Sequence, residues 1–459
     1  MGATALATNS DATHKVTLGE KLAYGMGNFG TQMVFNPATT FMVFFYTDVA
    51  GIAAATVGTM LFLSRFLDVL NPVMGIIVDR THSRYGKARP WLLWMAVPFG
   101  IAAALLFTSP NLGPTAKIVY AFVTYNLALT LIYTSVDIPY SSLLPLMTSE
   151  PHERTAFSVT RMILSNVGIV LTFALTMPLV KAFGGGKQGW QWTFTCFGAL
   201  AIVSLLICFG GTRERVQVRA HSGGGLAVKD GISALFRNQY FLLIAALAMT
   251  LFLMLGLLVA NLYYCRYFLH RAELFGPLMT MMVLAQITGM FCTPTIVKRL
   301  GKRSTALAGL VVTMVGQLLL YITPLNFTLL AIGTIIKGLG AAPLIGTMFA
   351  MVADTIDYSE WQTGFRIDGL VFGAMALMMK LSIGMGNVLV GWILAWGGYA
   401  AASETQTPKA LESIRILFLH LPLAFYIISF LILLAYNLDK RYPAILADLQ
   451  QRRAGLQQG

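Results

Sequence analysis

Six ionisable side chains interrupt long apolar stretches of this chain: Arg65, Asp68, Asp137, Arg161, Lys337 and Lys380. A charge at the centre of a bilayer costs roughly 3 kcal/mol or more unless it is paired or faces a wet cavity. Two acids against four bases cannot all pair one to one, so salt bridges that merely hold helices together do not account for the set. The chemistry such residues suit is recognition of a polar solute buried between membrane helices. Arg65 and Asp68 are three apart on one helix face, and pairing with each other is an equally good reading for Arg65.

Depth sharpens this. An α-helix rises about 1.5 Å per residue. Asp68 therefore lies roughly 16 Å from the polar segment beginning at Asp79. Asp137 lies roughly 15 Å from the end of its apolar stretch. Lys380 lies roughly 16 Å inside its own, and Arg161 roughly 9 Å. The hydrocarbon core is about 30 Å thick, so three charges from distant segments share its midplane. Asn28 and Gln32 are i, i+4 and line one face of the first segment, either as a polar lining or as interhelical glue. Tyr133, Thr134, Ser141, Asn166, Gln286 and Asn387 are weaker candidates of the same kind. Asp137 precedes Pro139, with Pro145 beyond, and a helix broken there would free carbonyls towards a cavity.

The elements that must hold these residues are membrane helices. Only 11% of the 459 residues are charged, 56% are hydrophobic and the mean hydropathy is +0.70. A soluble domain carries about 25% charged residues. The net charge of +13 does not point to nucleic acid, because the basic residues fall in short clusters between apolar runs. The four cysteines have no CxxC spacing and read as small core residues, with no metal or disulfide implied. Residues 1–15 lack an apolar core, and no cleavable signal peptide is expected. The apolar stretches long enough to span a bilayer predict twelve spans, near 22–47, 51–78, 91–109, 115–147, 156–182, 190–211, 239–265, 273–297, 304–323, 327–352, 369–396 and 413–437. Lys and Arg concentrate in the termini and the even-to-odd loops, which predicts that both termini are cytoplasmic.

The expected domains are a six-helix half at 1–211, a middle loop at 212–238 with solvated charges, a second six-helix half at 239–438 and a cytoplasmic tail at 439–459. Arg84-Tyr85-Gly86-Lys87-Ala88-Arg89 after span two and Arg299-Leu300-Gly301-Lys302-Arg303 after span eight occupy the same place in each half. Two such halves around a midplane site are the architecture of major facilitator transporters, an all-α membrane fold.

Four stretches carry a resemblance. They are Gly75 with Asp79-Arg80-Thr81-His82-Ser83-Arg84-Tyr85-Gly86-Lys87-Ala88-Arg89-Pro90-Trp91, then Tyr46-Thr47-Asp48-Val49, Tyr133-Thr134-Ser135-Val136-Asp137-Ile138-Pro139-Tyr140, and Ala353 to Trp361 followed by Thr363-Gly364-Phe365-Arg366. From about Leu18 to the last span the chain resembles the glycoside–pentoside–hexuronide:cation symporter family of the major facilitator superfamily. The resemblance implies sugar transport coupled to Na⁺, H⁺ or Li⁺ in a bacterial inner membrane, with a small-molecule sugar and the lipid bilayer as partners, no cofactor, no enzymatic activity and a monomer. It implies sugar-site roles for Asp137, Arg161 and Lys380, and cation-site roles for Asp68, Asn71 and Thr134. Gln32, Asn28, Tyr133, Ser141 and Lys337 complete the candidate substrate lining.

Two departures matter. The family's span-two pattern Asp-x-x-x-Asp-Pro is here Asp68-Val69-Leu70-Asn71-Pro72, one residue shorter and without the second aspartate, and a sugar-contacting aspartate of span one is replaced by Gln32. A Na⁺ site wants several hard oxygens and more than one carboxylate. One carboxylate with an amide and a hydroxyl is a poorer Na⁺ cage, with Na⁺ at Asp68 as the alternative. It remains a good proton acceptor, because burial favours the neutral acid. H⁺ is therefore the expected coupling ion. The lost negative charge and Lys337 suit an anionic sugar such as a uronide or sulfonated sugar; Asp137 suits neutral hydroxyls. In the loops, Asp79, Arg80, Arg84 and Arg89 with Glu153, Arg154, Asp354, Asp357 and Arg366 are expected to gate the inner side by charge contacts, or merely to set topology. The alternatives are a uniporter or lysolipid carrier on the same fold and, remotely, an intramembrane aspartyl protease using Asp68 and Asp137, whose usual Tyr-Asp and Gly-x-Gly-Asp motifs are missing there. No HExxH, GxSxG or Walker-type loop occurs.

Overall fold

The computed structural model describes residues 17–67, 74–75, 77–78, 80–148, 150–215, 233, 235–322, 326–364, 368–401, 403 and 405–456. Asp68, Asn71, Asp79 and Arg366 lie outside them. The described residues are helical almost throughout, with a single isolated bridge, Ser83 to Gly86. The helices are α1 Leu18–Phe44, α2 Ala54–Leu67, α3 Arg89–Leu106, α4 Pro114–Tyr125, α5 Tyr133–Met147, α6 Pro151–Ala182, α7 Gly186–Gly211, α8 Gln239–Gly256, α9 Val259–Tyr267, α10 Phe275–Leu300, α11 Lys302–Ile322, α12 Phe327–Thr363, α13 Asp368–Trp396, α14 Pro408–Arg415, α15 Leu421–Ala435 and α16 Leu438–Leu456. A helix stands at each of the twelve expected apolar stretches, and ten among the described residues are long and apolar enough to cross a membrane.

Three apolar passes are interrupted by π turns: Phe45–Val49 after α1, Asn126–Ile132 between α4 and α5, and Ile416–His420 between α14 and α15. A π turn inserts a residue into the helix and commonly marks a functional site. The break that Pro139 and Pro145 left open does not occur: α5 runs through both prolines. A proline deletes one backbone donor and crowds the carbonyl four residues earlier. The departure from α geometry comes just upstream instead, in the π turn, where Ser135 Oγ donates to the Leu131 carbonyl at 2.8 Å.

Successive passes alternate in direction, so the start of α1, the end of α15 and α16 share one end of the bundle, here the terminal end; the other is the far end. At the terminal end each half is closed by one device used twice. Glu214, just after α7, accepts from the backbone N–H groups of Lys87, Ala88 and Arg89 at 2.8–2.9 Å, while Arg89 donates to the Phe209 carbonyl at 2.8 Å. Asp439, just after α15, accepts from Arg303 N at 2.8 Å, while Arg303 donates to the Leu433 and Leu434 carbonyls. A carboxylate at a helix N-terminus satisfies donors that have no partner within the helix. The short sequence match between the two basic loops is thus a structural repeat. Glu214 also corrects the expectation that the middle-loop charges are only solvated; residues 216–232 and 234 lie outside the described residues.

Packing differs between the ends. One buried apolar cluster runs through the first half and continues into far-end residues of the second, including Tyr263, Phe275, Val388 and Leu417. A second cluster, with Tyr240, Ala306, Met348 and Leu433, is confined to the terminal end of the second half. At the far end two crossings between halves rely on glycine. A Cβ on Gly391 of α13 would sit 2.7 Å from Gly58 Cα and 2.8 Å from the Ala54 carbonyl oxygen, and one on Gly276 of α10 would sit 2.5 Å from the Phe173 carbonyl oxygen. Cys208 and Cys265 are buried as expected, but Cys196 and Cys292 point outward, so these two are not core residues.

Candidate functional site

The far end is fastened by Asp48, in the π turn that follows α1. Its side chain has no exposed surface. Oδ1 accepts from the Tyr399 hydroxyl at 2.6 Å, the Tyr267 hydroxyl at 3.2 Å and Arg266 at 3.0 Å. Oδ2 accepts from Thr47 at 2.7 Å, and the Thr47 oxygen lies 2.7 Å from the Tyr263 hydroxyl. One acid from the first half therefore gathers donors from α9 and the loop after α13 in the second, with the Arg266 guanidinium stacked on Phe44. The Tyr46-Thr47-Asp48-Val49 motif was the signal for this latch, but nothing in its spacing revealed that the partners come from the other half of the chain.

Beneath the latch is a small cavity of about 30 Å³ between the halves, lined by Arg65, Tyr125, Tyr133, Lys380 and Asn387 among others. Arg65 donates to the Tyr125 hydroxyl at 2.6 Å and its side chain occupies the space left by Gly384. Asn387 Oδ1 is buried with no hydrogen-bond donor among the described residues. Phe35 stacks on Tyr133 at 4.6 Å. Small-ligand pockets span roughly 300–1,000 Å³, so this enclosed space is only the roof of a site.

The site continues towards the terminal end along α5, where Tyr133, Asp137 and Ser141 are i, i+4 and i+8 on one face. Asp137 lies beside the Tyr133 hydroxyl and within electrostatic reach of Lys380 and Arg161. Arg161 comes from α6 of the first half and Lys380 from α13 of the second. All three are half-buried, and Ser141 is exposed. The Arg161 guanidinium lies 5.1 Å over the Tyr140 ring; Tyr140 stacks on Tyr24 at 4.8 Å and donates to its carbonyl at 2.8 Å. Such a platform holds a cation in place without neutralising it. Gln32 is half-buried on α1, while Asn28 is buried and accepts from Thr31 within its own helix.

The structure thus brings Asp137, Arg161, Lys380 and Tyr133 together. It does not bring Lys337 to them: that residue lines a separate cavity inside the second half. Thr134 is buried on α5, while its expected cation-site companions Asp68 and Asn71 lie outside the described residues. Arg65, which the sequence offered either as a site charge or as a partner of Asp68, forms a wall of the central cavity; sequence reasoning missed Tyr125 as its partner and the Tyr24–Tyr140 platform.

The expected gate residues sit at the terminal end, and their described polar contacts stay within a half. Glu153 pairs with Lys21 at 2.8 Å, Asp354 with Lys302 at 2.6 Å, and Asp357 accepts from Tyr442 at 2.7 Å. Arg154 donates to the Thr148 carbonyl, Arg84 stacks on Tyr85, and Arg80 is exposed.

Residues 23–440 match the model of the MFS/sugar transport protein family. The chain is 35% identical to the isoprimeverose transporter of Lactiplantibacillus pentosus, over 95% of this chain and 92% of that protein. It is 32% identical to the glucuronide carrier protein homolog of Escherichia coli (strain K12), over 95% and 96%. The solved structure of a mutant of the nucleoside transporter NupG superposes with a TM-score of 0.64 at 11% identity, over 91% of this chain and 99% of that one, which speaks to the fold. A multi-pass membrane transporter rather than an enzyme, the chain belongs to the MFS/sugar transport protein family.

Proposed function

We propose that this protein imports a sugar or glycoside by cation-coupled symport, carrying it between its two halves by alternating access. The observation that supports this most is the Asp137 cluster. One acid is flanked by a cation from each half, so a solute seated there touches both halves at once. Asp137 and Tyr133 suit sugar hydroxyls, and Arg161 and Lys380 suit either a ring oxygen or an anionic substituent. Gln32, with Asn28 behind it, forms the α1 side, and Ser141 the approach. Relatives named for isoprimeverose and for a glucuronide span both a neutral and an anionic substrate.

The cation site is Asp68 with Asn71 and Thr134, and the favoured ion is H⁺, for want of a second carboxylate there. With both termini cytoplasmic in a bacterial inner membrane, the latched far end faces outward and the conformation is open inward. The gate residues then exchange their partners within each half for partners across the halves when the carrier turns outward.

Purified protein in phosphatidylcholine nanodiscs, screened against neutral, uronic and sulfonated glycosides, identifies the substrate class. Asp137→Asn is expected to lower affinity for the best ligand at least tenfold while the protein stays folded; an unchanged affinity removes Asp137 from the site. Sugar-dependent alkalinisation of the medium by expressing cells tests the coupling, and transport without it means uniport or another ion.

A further inference from the structure

Lys337 lies in the middle of α12, and no acid, hydrogen-bond acceptor or aromatic face among the described residues engages its ammonium. Its stem packs where Gly316 of α11 carries no side chain: a Cβ there would sit 2.9 Å from Lys337 Cγ. The residue lines a cavity of about 110 Å³ whose walls are largely Leu, Met and Phe, all from the second half. One wall is the π turn Ile416–His420, through Leu417 and Phe418. The polar groups around it are few. Thr313 donates to the Gly309 carbonyl and Asn261 Nδ2 to the Leu258 carbonyl, which leaves Asn261 Oδ1, Gln286 and Tyr426.

A half-buried cation with no counter-ion in an apolar surround at mid-membrane depth is costly, and the cost falls when an anion enters. A sugar does not suit the space, because most of its hydroxyls would lose their water without finding partners. A phosphate dianion does not suit it either, with one cation to meet two charges. We infer that this cavity is a second ligand site, apart from the sugar site, that takes an aliphatic monocarboxylate. Its carboxylate pairs with Lys337, and its chain lies along Leu255, Met282, Met348 and Phe418. Because every wall belongs to one half, rocking of the halves does not expose the site to alternate sides. Its occupant is a resident or a regulator, not cargo.

The test uses full-length protein in phosphatidylcholine nanodiscs, with empty nanodiscs subtracted to remove partition into lipid. Saturable binding of butanoate, short enough for the cavity, is expected, with 1-butanol at least tenfold weaker. Lys337→Met should lose butanoate affinity at least tenfold, and Lys337→Arg should keep most of it. Lys380→Met, which removes a cation of the central site, should bind butanoate as the unaltered chain does. Equal binding of acid and alcohol, or no saturable binding of either, overturns the inference on the unaltered protein, whatever the variants' folding. Loss of butanoate binding in Lys380→Met would move the anion to the central site and also overturns it.

Discussion

The two ends of the molecule are built on opposite principles. At the far end the halves share a buried carboxylate, a continuous apolar cluster and two glycine crossings. At the terminal end the described ion pairs Lys21–Glu153 and Lys302–Asp354, and the two carboxylate caps, each stay within one half. The same kinds of residue do both jobs; what differs is whether the partner belongs to the same rigid body. A contact within a half sets stability, whereas a contact between halves sets which conformation is populated.

The sharpest way to break this contrast is at Asp48. Asp48→Ala leaves Arg266, Tyr267 and Tyr399 without their shared acceptor, and loss of one partner in such a buried set costs about 3–5 kcal/mol. Since that cost falls only on the closed far end, the expected result is a large rise in hydrogen–deuterium exchange over residues 45–52 and 259–268, with slowed transport. Unchanged exchange there would mean that the latch does not select the conformation. Gly391→Ala comes next. Its methyl meets backbone atoms that cannot rotate away, and overpacking of this kind costs about 1–3 kcal/mol. Far-end exchange should again rise, by less than with Asp48→Ala, whereas a lowered melting temperature with no change in exchange would make the crossing merely structural.

Glu214→Gln addresses the terminal end. Weakening a cap on three backbone donors is expected to cost about 1 kcal/mol, read as a lower melting temperature with far-end exchange unaltered. The smallest effect is predicted for Lys21→Met. Its pair with Glu153 is partly exposed, 19% and 22%, and such pairs contribute about 0–1 kcal/mol. A transport defect much larger than that stability change would show that Lys21 acts in the outward-facing state.

The class of fold was legible because twelve apolar stretches and the loop charges report on the bilayer, which acts on every residue alike. The depth of Asp137 and Lys380 was legible for the same reason, since rise per residue converts position into level. Rotation was not. Lys337 is as deep in its span as a site residue would be, yet it faces into its own half, and hydropathy carries no information about azimuth in a helix apolar all round. The π turns compound this: one turn before Tyr133 resets the face that α5 presents, and no residue in Asn126–Ile132 announces it. The Asp48 latch was hidden because the motif names one partner, and the others come from chain regions that only the fold unites.

The doubled caps at Glu214 and Asp439 have a mechanical meaning. In each, the chain leaving a half is fastened back onto the third pass of that same half, so each set of six helices is a closed hoop. A pull along the connecting segment is spent on its own hoop's rim and does not reach the far-end latch. The connector can thus vary in length without altering which face stands open, and the choice is left to the surfaces where the hoops touch.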